Sequence, residues 1–220
     1  MRKFLLFFCS IFGFINSSQS QNRNISFENS DLDWELVDDL LKNHIKNKTK
    51  FMEGIKDFES ILNVGGLELI NSLELEKLNE EFNDFIVQTI IKNEIPPNLK
   101  AINIGLFTSI EKNKESITLY LSGSDISLID DSFDWNVEPI YFPKFYFTPT
   151  YFEMIKNTNT NIDANLEILL FNGILNLLII NNVDLLKSNF LKNNNELYLG
   201  SGFDSGDTYI LGLLSKKGLN

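Results

Sequence analysis

Two carboxylates, two serines and four glycines meet in LYLGSGFDSGDTYILG, Leu197 to Gly212, and three chemistries use such residues. A dinucleotide-binding loop needs G-x-G-x-x-G between a strand and a helix, because the helix N-terminus holds the pyrophosphate. Here the spacing is G-x-G-x-x-x-G and β-forming residues follow. An EF-hand loop needs acids at alternate positions and a distant glutamate. Asp204-Ser205-Gly206-Asp207 breaks that alternation, which leaves open only weak calcium binding by the two carboxylates and nearby carbonyls. Asp204-Ser205-Gly206 is similar to the nucleophile triplet of trypsin-like proteases, but such a serine requires a histidine base and an oriented acid. The single histidine, His44, stands among lysines on a helical segment, where a solvated surface position is expected. Glycine at positive φ accounts for the loop without chemistry: Gly200 and Gly202 permit a bulge, and Asp204 to Asp207 make the turn.

A second group of acids, Asp130, Asp131, Asp134 and Glu138, shares one segment with Trp135, Tyr141, Phe145 and Tyr146. Paired carboxylates flank the scissile bond in glycoside hydrolysis, and aromatic residues line sugar grooves, so a hydrolase acting on glycans is one reading. Acidic, aromatic, proline-rich loops also fold over a core edge or form interaction patches. The run YFPKFYFTPTYF, Tyr141 to Phe152, sharpens the choice: seven aromatic residues in twelve cannot all point inward from a loop. Either some form an exposed anchor for a partner, or the run is a lid over one sheet face.

The elements that must position these residues begin after residue 20. MRKFLLFFCSIFGFINSSQSQ places two cations before an apolar run from Phe4 to Ile15 and then small polar residues, the pattern of a secretory signal peptide with cleavage near Ser20 or Gln21. An exported location, periplasmic or extracellular, is therefore expected. The only cysteine, Cys9, lies inside this segment, so the mature chain has no disulfide, thiolate metal ligand or thiol nucleophile. With one histidine besides, a histidine-rich metal centre, a Cys–His pair and a thiolate zinc site are excluded, and no cofactor is expected. Losing Arg2 and Lys3 leaves 17 cations against 30 acids, a net charge of −13. That field repels nucleic acid and anionic lipid and suits a basic protein partner.

Residues 22–220 are expected to form one α+β domain, helical over 30–95 and α/β over 99–214. Ser30 or Asp31 can cap a helix carrying Trp34, Val37, Leu41 and Ile45, with Leu36 and Leu40 on the neighbouring row. Lys50 to Leu62 and Leu73 to Asn93 carry further apolar stripes, the latter ending before Pro96-Pro97. The period then changes to two: Ile102, Ile104 and Leu106 in one strand and Ile117, Leu119 and Leu121 in the next predict a β-hairpin. Asp163 can cap NLEILLFNGILNLLIIN, whose Asn165, Asn172 and Asn176 form one narrow polar stripe on an otherwise apolar rod. This is a buried helix and not a transmembrane span, since Glu167, asparagines and Gly173 interrupt it. ELYLG and DTYILGLL predict a second hairpin, giving an antiparallel sheet built mainly from two hairpins with the buried helix between them.

Two patches, INIGLF followed by LYLSGS, an acidic stretch, Asp134-Trp135 and a downstream proline, and then GFDSGD, resemble small bacterial toxin-immunity proteins and their uncharacterised relatives over roughly 99–212. The resemblance implies an α+β domain whose acidic face blocks a toxin, with no catalysis of its own. Asp130, Asp131, Asp134, Trp135, Asp204 and Asp207 are then candidate contacts, and export requires a partner that acts in the envelope or outside. LYLSGSD, Leu119 to Asp125, also echoes LYLGSGFD, Leu197 to Asp204. If both strand ends turn at one rim, Asp125, Asp134, Asp204 and Asp207 form a single anionic site. The expected function is exported, non-enzymatic binding of a basic partner, with Asp125, Asp130, Asp131, Asp134, Trp135, Tyr141, Asp204 and Asp207 as binding residues. The alternatives are an envelope hydrolase using paired carboxylates and a calcium-stabilised structural protein.

Overall fold

A computed structural model describes residues 32–64, 68–111, 114–126, 139–158, 162–206 and 208–220. The expected signal peptide, the Ser30 and Asp31 caps, and Asp130, Asp131, Asp134, Trp135, Glu138 and Asp207 lie outside these residues. The protein is an α+β fold. Three helices, α1 (Trp34–Asn47), α2 (Phe51–Leu62) and α3 (Ser72–Lys92), precede a hairpin of β1 (Ala101–Glu111) and β2 (Lys114–Ser124). Then come α4 (Thr150–Thr158), the rod formed by α5 (Ala164–Glu167), a π-helical turn (Ile168–Asn172) and α6 (Gly173–Asn181), and α7 (Val183–Phe190). The strands β3 (Glu196–Phe203), β4 (Thr208–Ser215) and β5 (Gly218–Leu219) close the chain.

Three of the helices, α1, α3 and α5, start at a residue whose side chain satisfies an orphan amide. Asp33, two residues beyond the expected cap, accepts from Glu35 N at 2.9 Å, and Asn71 and Glu74 form a reciprocal capping box on α3. Asp163 caps the central rod through Leu166 N at 2.8 Å, as its position predicts. On α1 the buried row is Val37, Leu41, His44 and Ile45, while Trp34 and Leu36 stay exposed.

His44 corrects the sequence expectation: it is buried, not solvated. It lies three residues after Leu41 and seven after Val37, on the apolar face, and the lysines beside it point elsewhere. Its Nε2 meets Asp57 Oδ2 at 2.9 Å and its ring packs on Phe58 with centroids 5.4 Å apart. The histidine therefore joins α1 to α2.

The sheet has the order β2-β1-β3-β4-β5. Both hairpins are antiparallel, and they join through a parallel pairing of β1 with β3. A bulge at Leu199/Gly200 interrupts β3 against β4, where the paired glycines predicted one. Ile102, Ile104, Leu106, Leu119, Leu121 and Leu199 share the fully buried inner face, as their alternation requires. Against it lies the rod Ala164–Asn181, the described helix long and apolar enough to cross a membrane, with 78% of its length buried inside the protein. Its asparagine stripe is used internally: Asn165 donates to Leu32 O at 2.7 Å, and Asn176 Oδ1 accepts from the Ser201 hydroxyl of β3.

Ser201 is the polar position on an apolar sheet face, and the bond to Asn176 is what makes its burial tolerable. Ser201→Ala leaves the Asn176 carboxamide desolvated without that donor and is expected to cost about 1–3 kcal/mol. Urea denaturation should show a lower midpoint at unchanged slope, and Asn176→Leu combined with Ser201→Ala should recover much of the loss.

Candidate functional site: an aromatic surface at the sheet edge

The free edge of β2 is covered by the aromatic run. Tyr141 pairs with Gly123 through two backbone bonds of 2.8 and 3.1 Å, and Phe147 pairs with Leu119 through bonds of 2.7 and 3.1 Å. Six residue steps of the strap span four of β2, so two residues must loop out. They do so around Pro143, which has no amide to donate to a ladder. Alternation about the two anchored positions then divides the side chains between the faces.

Tyr141, Phe145 and Phe147 turn inward. Phe145 and Phe147 each lie 6.1 Å from Phe85 of α3, centroid to centroid, and Lys92 Nζ sits 4.3 Å over the Phe145 ring. Tyr151 and Phe152, at the start of α4, are buried as well. Phe142 and Tyr146 turn outward and are 40% and 48% exposed. Five rings of the run therefore close the core edge, as a lid over the sheet would, and two stay exposed.

The outward pair does not stand alone. Phe142 lies 6.0 Å from Tyr120 and 6.3 Å from Tyr146, Tyr146 lies 5.4 Å from Phe107, and Phe107 lies 6.1 Å from Tyr120. Four rings thus close a circuit, with interplanar angles between 57° and 76°. Tilted and edge-to-face arrangements place the positive edge of one ring against the negative face of the next and are favourable beyond area burial. Gly105 makes the circuit possible. It pairs across the ladder with Tyr120, whose ring lies over it, and a Cβ at residue 105 would fall inside that ring. Asn103, two residues earlier on the same face, reaches the Tyr120 hydroxyl at 3.4 Å.

Of the residues expected to bind, Tyr141 is a correction. It is buried, its hydroxyl donates to Asn93 O at 2.7 Å, and it ties the strap to the end of α3. Burial raises its pKa to about 12. Asp125 and Asp204 are both exposed, but they do not share a rim. Ser124 pairs with Ala101 and Phe203 with Leu106, and each aspartate lies one residue further outward. Roughly 20 Å of strand separates them at about 3.3 Å per residue. The sequence echo is real locally and misleading spatially, because β2 runs against β1 and β3 runs with it. Asp204 and Ser205 border a shallow depression of about 230 Å³ with Thr108, Glu167 and Phe203, and Gly206 takes the positive φ of the turn at 123°. Among the described residues no group of three or more His, Cys, Asp or Glu side chains could hold a metal ion.

Phe107 and Tyr120 were not singled out by sequence reasoning. The signal was present: they occupy the outward parity of two strands whose inward positions include Ile102, Ile104, Leu106, Leu119 and Leu121, and Tyr120 stands opposite Gly105. Comparison with known protein families, with curated proteins and with solved structures finds no match to this chain.

Because the unfolded chain releases a tyrosine proton near pH 10 and the folded one holds Tyr141 until about 12, stability from this group is complete below pH 10 and is lost as pH rises towards 12. Spectrophotometric titration should show one tyrosine ionising last in the wild type and absent in Tyr141→Phe. That variant should lose the alkaline decline in stability while giving up about 1 kcal/mol at neutral pH.

Proposed function

We propose that this protein is an exported binding protein without catalysis of its own, which holds a basic protein partner against the aromatic surface of Phe142 and Tyr146. The observation that carries this reading is the exposed pair itself, held in place by Tyr120 and Phe107 on a strongly acidic molecule. Large rigid rings give contact area at low entropic cost. The negative field raises the encounter rate with a cationic partner. The resemblance to toxin-immunity proteins supplies the kind of partner: a basic toxin, neutralised by occlusion in the envelope or outside. His44 is engaged in packing α1 to α2, which favours binding over nucleophilic chemistry.

The mature protein should capture a basic protein from the producer's envelope or from neighbouring strains, with affinity that falls as salt is raised. Phe142→Ala/Tyr146→Ala should weaken capture by at least tenfold without altering the far-ultraviolet circular dichroism. Glycan turnover by the purified protein, lost in Asp134→Asn, would replace this reading with that of a hydrolase.

A further inference from the structure

The circuit of Phe107, Tyr120, Phe142 and Tyr146 has a property that a plain apolar patch lacks. Its four neighbouring centroid pairs lie 5.4 to 6.3 Å apart and every pair is steeply inclined. Part of each outward ring, Phe142 and Tyr146, meets solvent, and aromatic rings attract cations. An aliphatic patch of equal area would not discriminate charge in this way.

We propose that this quartet is a receptor for a cationic side chain, a guanidinium or alkylammonium group projecting from the bound protein. The inference rests on the binding reading above and adds the chemistry of recognition. Three observations point to a cation as the occupant. The same strap already binds one on its inner side, where Lys92 Nζ lies 4.3 Å above Phe145. The chain as a whole carries 30 acids against 19 Lys and Arg, so an approaching cation gains from the long-range field as well as from the rings. The two outward rings are accessible, whereas Tyr120 is 7% exposed and Phe107 is half-buried, so the circuit has an open side and a closed base. The opposing feature is Lys144, exposed on the strap between Phe142 and Tyr146. Its positive charge repels an incoming cation.

The test uses defined probes and not the unidentified partner. N-acetyl-arginine amide is titrated into the isotope-labelled protein at constant ionic strength, with the neutral isostere N-acetyl-citrulline amide in parallel. The aromatic signals of Phe142 and Tyr146 should move saturably with the arginine derivative and at least fivefold less with citrulline. Tyr146→Leu should weaken the arginine response three- to tenfold with its circular dichroism intact, and Lys144→Glu should strengthen it. Equal responses to the charged and neutral probes, or none to either, overturn the proposal. Failure here is distinguishable from failure of the binding reading. A silent quartet with capture still lost in Phe142→Ala/Tyr146→Ala removes the cation receptor alone. A charge-selective quartet whose double variant still captures the partner removes the docking surface and leaves the receptor.

Discussion

The fold depends on the enclosure of one helical rod. Ala164–Asn181 presents apolar side chains on nearly every side, so no single neighbour can bury it, and it needs helices on some sides and a sheet on another. Ile174, Leu175, Leu177, Leu178 and Ile179 are all fully buried. At roughly 1.5–3 kcal/mol for each fully buried aliphatic side chain, these five positions contribute heavily to the core. The amphipathic stripes of α1 and α2 are the complement of this requirement, as is the aliphatic inner face of the sheet. Asn165, Asn176 and Asn181 of the rod each meet a partner on a neighbouring segment, which limits the cost of burying polar atoms, although Asn176 Nδ2 is buried without one.

The inner face of the sheet packs on the rod, and the outer face is buried as well but with a different composition. Ala101, Asn103, Gly105, Ser122, Gly200 and Gly202 replace the aliphatic residues of the other side. Small residues leave room for large ones to lie flat, and Tyr120 does so across Gly105. The strap adds two more rings by parity, since two anchored positions that point inward force their neighbours outward. The aromatic surface is thus built by exception: a glycine where a strand would prefer a β-branched residue, and a proline where an edge would prefer a ladder.

Much of the architecture was legible because burial writes periodicity. The alternation of Ile102, Ile104 and Leu106, the cap at Asp163 and the narrow asparagine stripe each predict what is found. What was not legible depends on direction and on partners far away in sequence. LYLSGSD and LYLGSGFD end their strands in the same way, yet antiparallel and parallel pairing with β1 send Asp125 and Asp204 to opposite ends. Composition alone suggested solvent for His44 because Lys42 and Lys46 adjoin it, while helical geometry puts those lysines on another face. Tyr141 looked like a groove residue by company and is internal by its pairing with Gly123. The aromatic circuit is assembled from β1, β2 and the strap, so no window of sequence contains it.

The described residues contain no cysteine and must fasten distant segments by other means, and asparagine side chains do much of this. Asn165 reaches Leu32 O, Asn181 reaches Thr49 O and accepts from Phe51 N, Asn182 bonds Asn79, and Asn193 and Asn194 hold the Ile95-Pro96 turn. Several of these span more than a hundred residues of chain. Each neutral bond contributes only about 0.5–1.5 kcal/mol, but none depends on ionic strength or on a titrating group. Ion pairs, by contrast, are mostly short-range along helices, such as Lys42 with Asp38 and Lys187 with Asp184, and exposed pairs of this kind are worth little. Ionisable side chains add further long-range ties, among them His44 with Asp57 and Lys156 with Glu167. Screening of the surface pairs by salt leaves intact the neutral bonds that hold the rod in its enclosure.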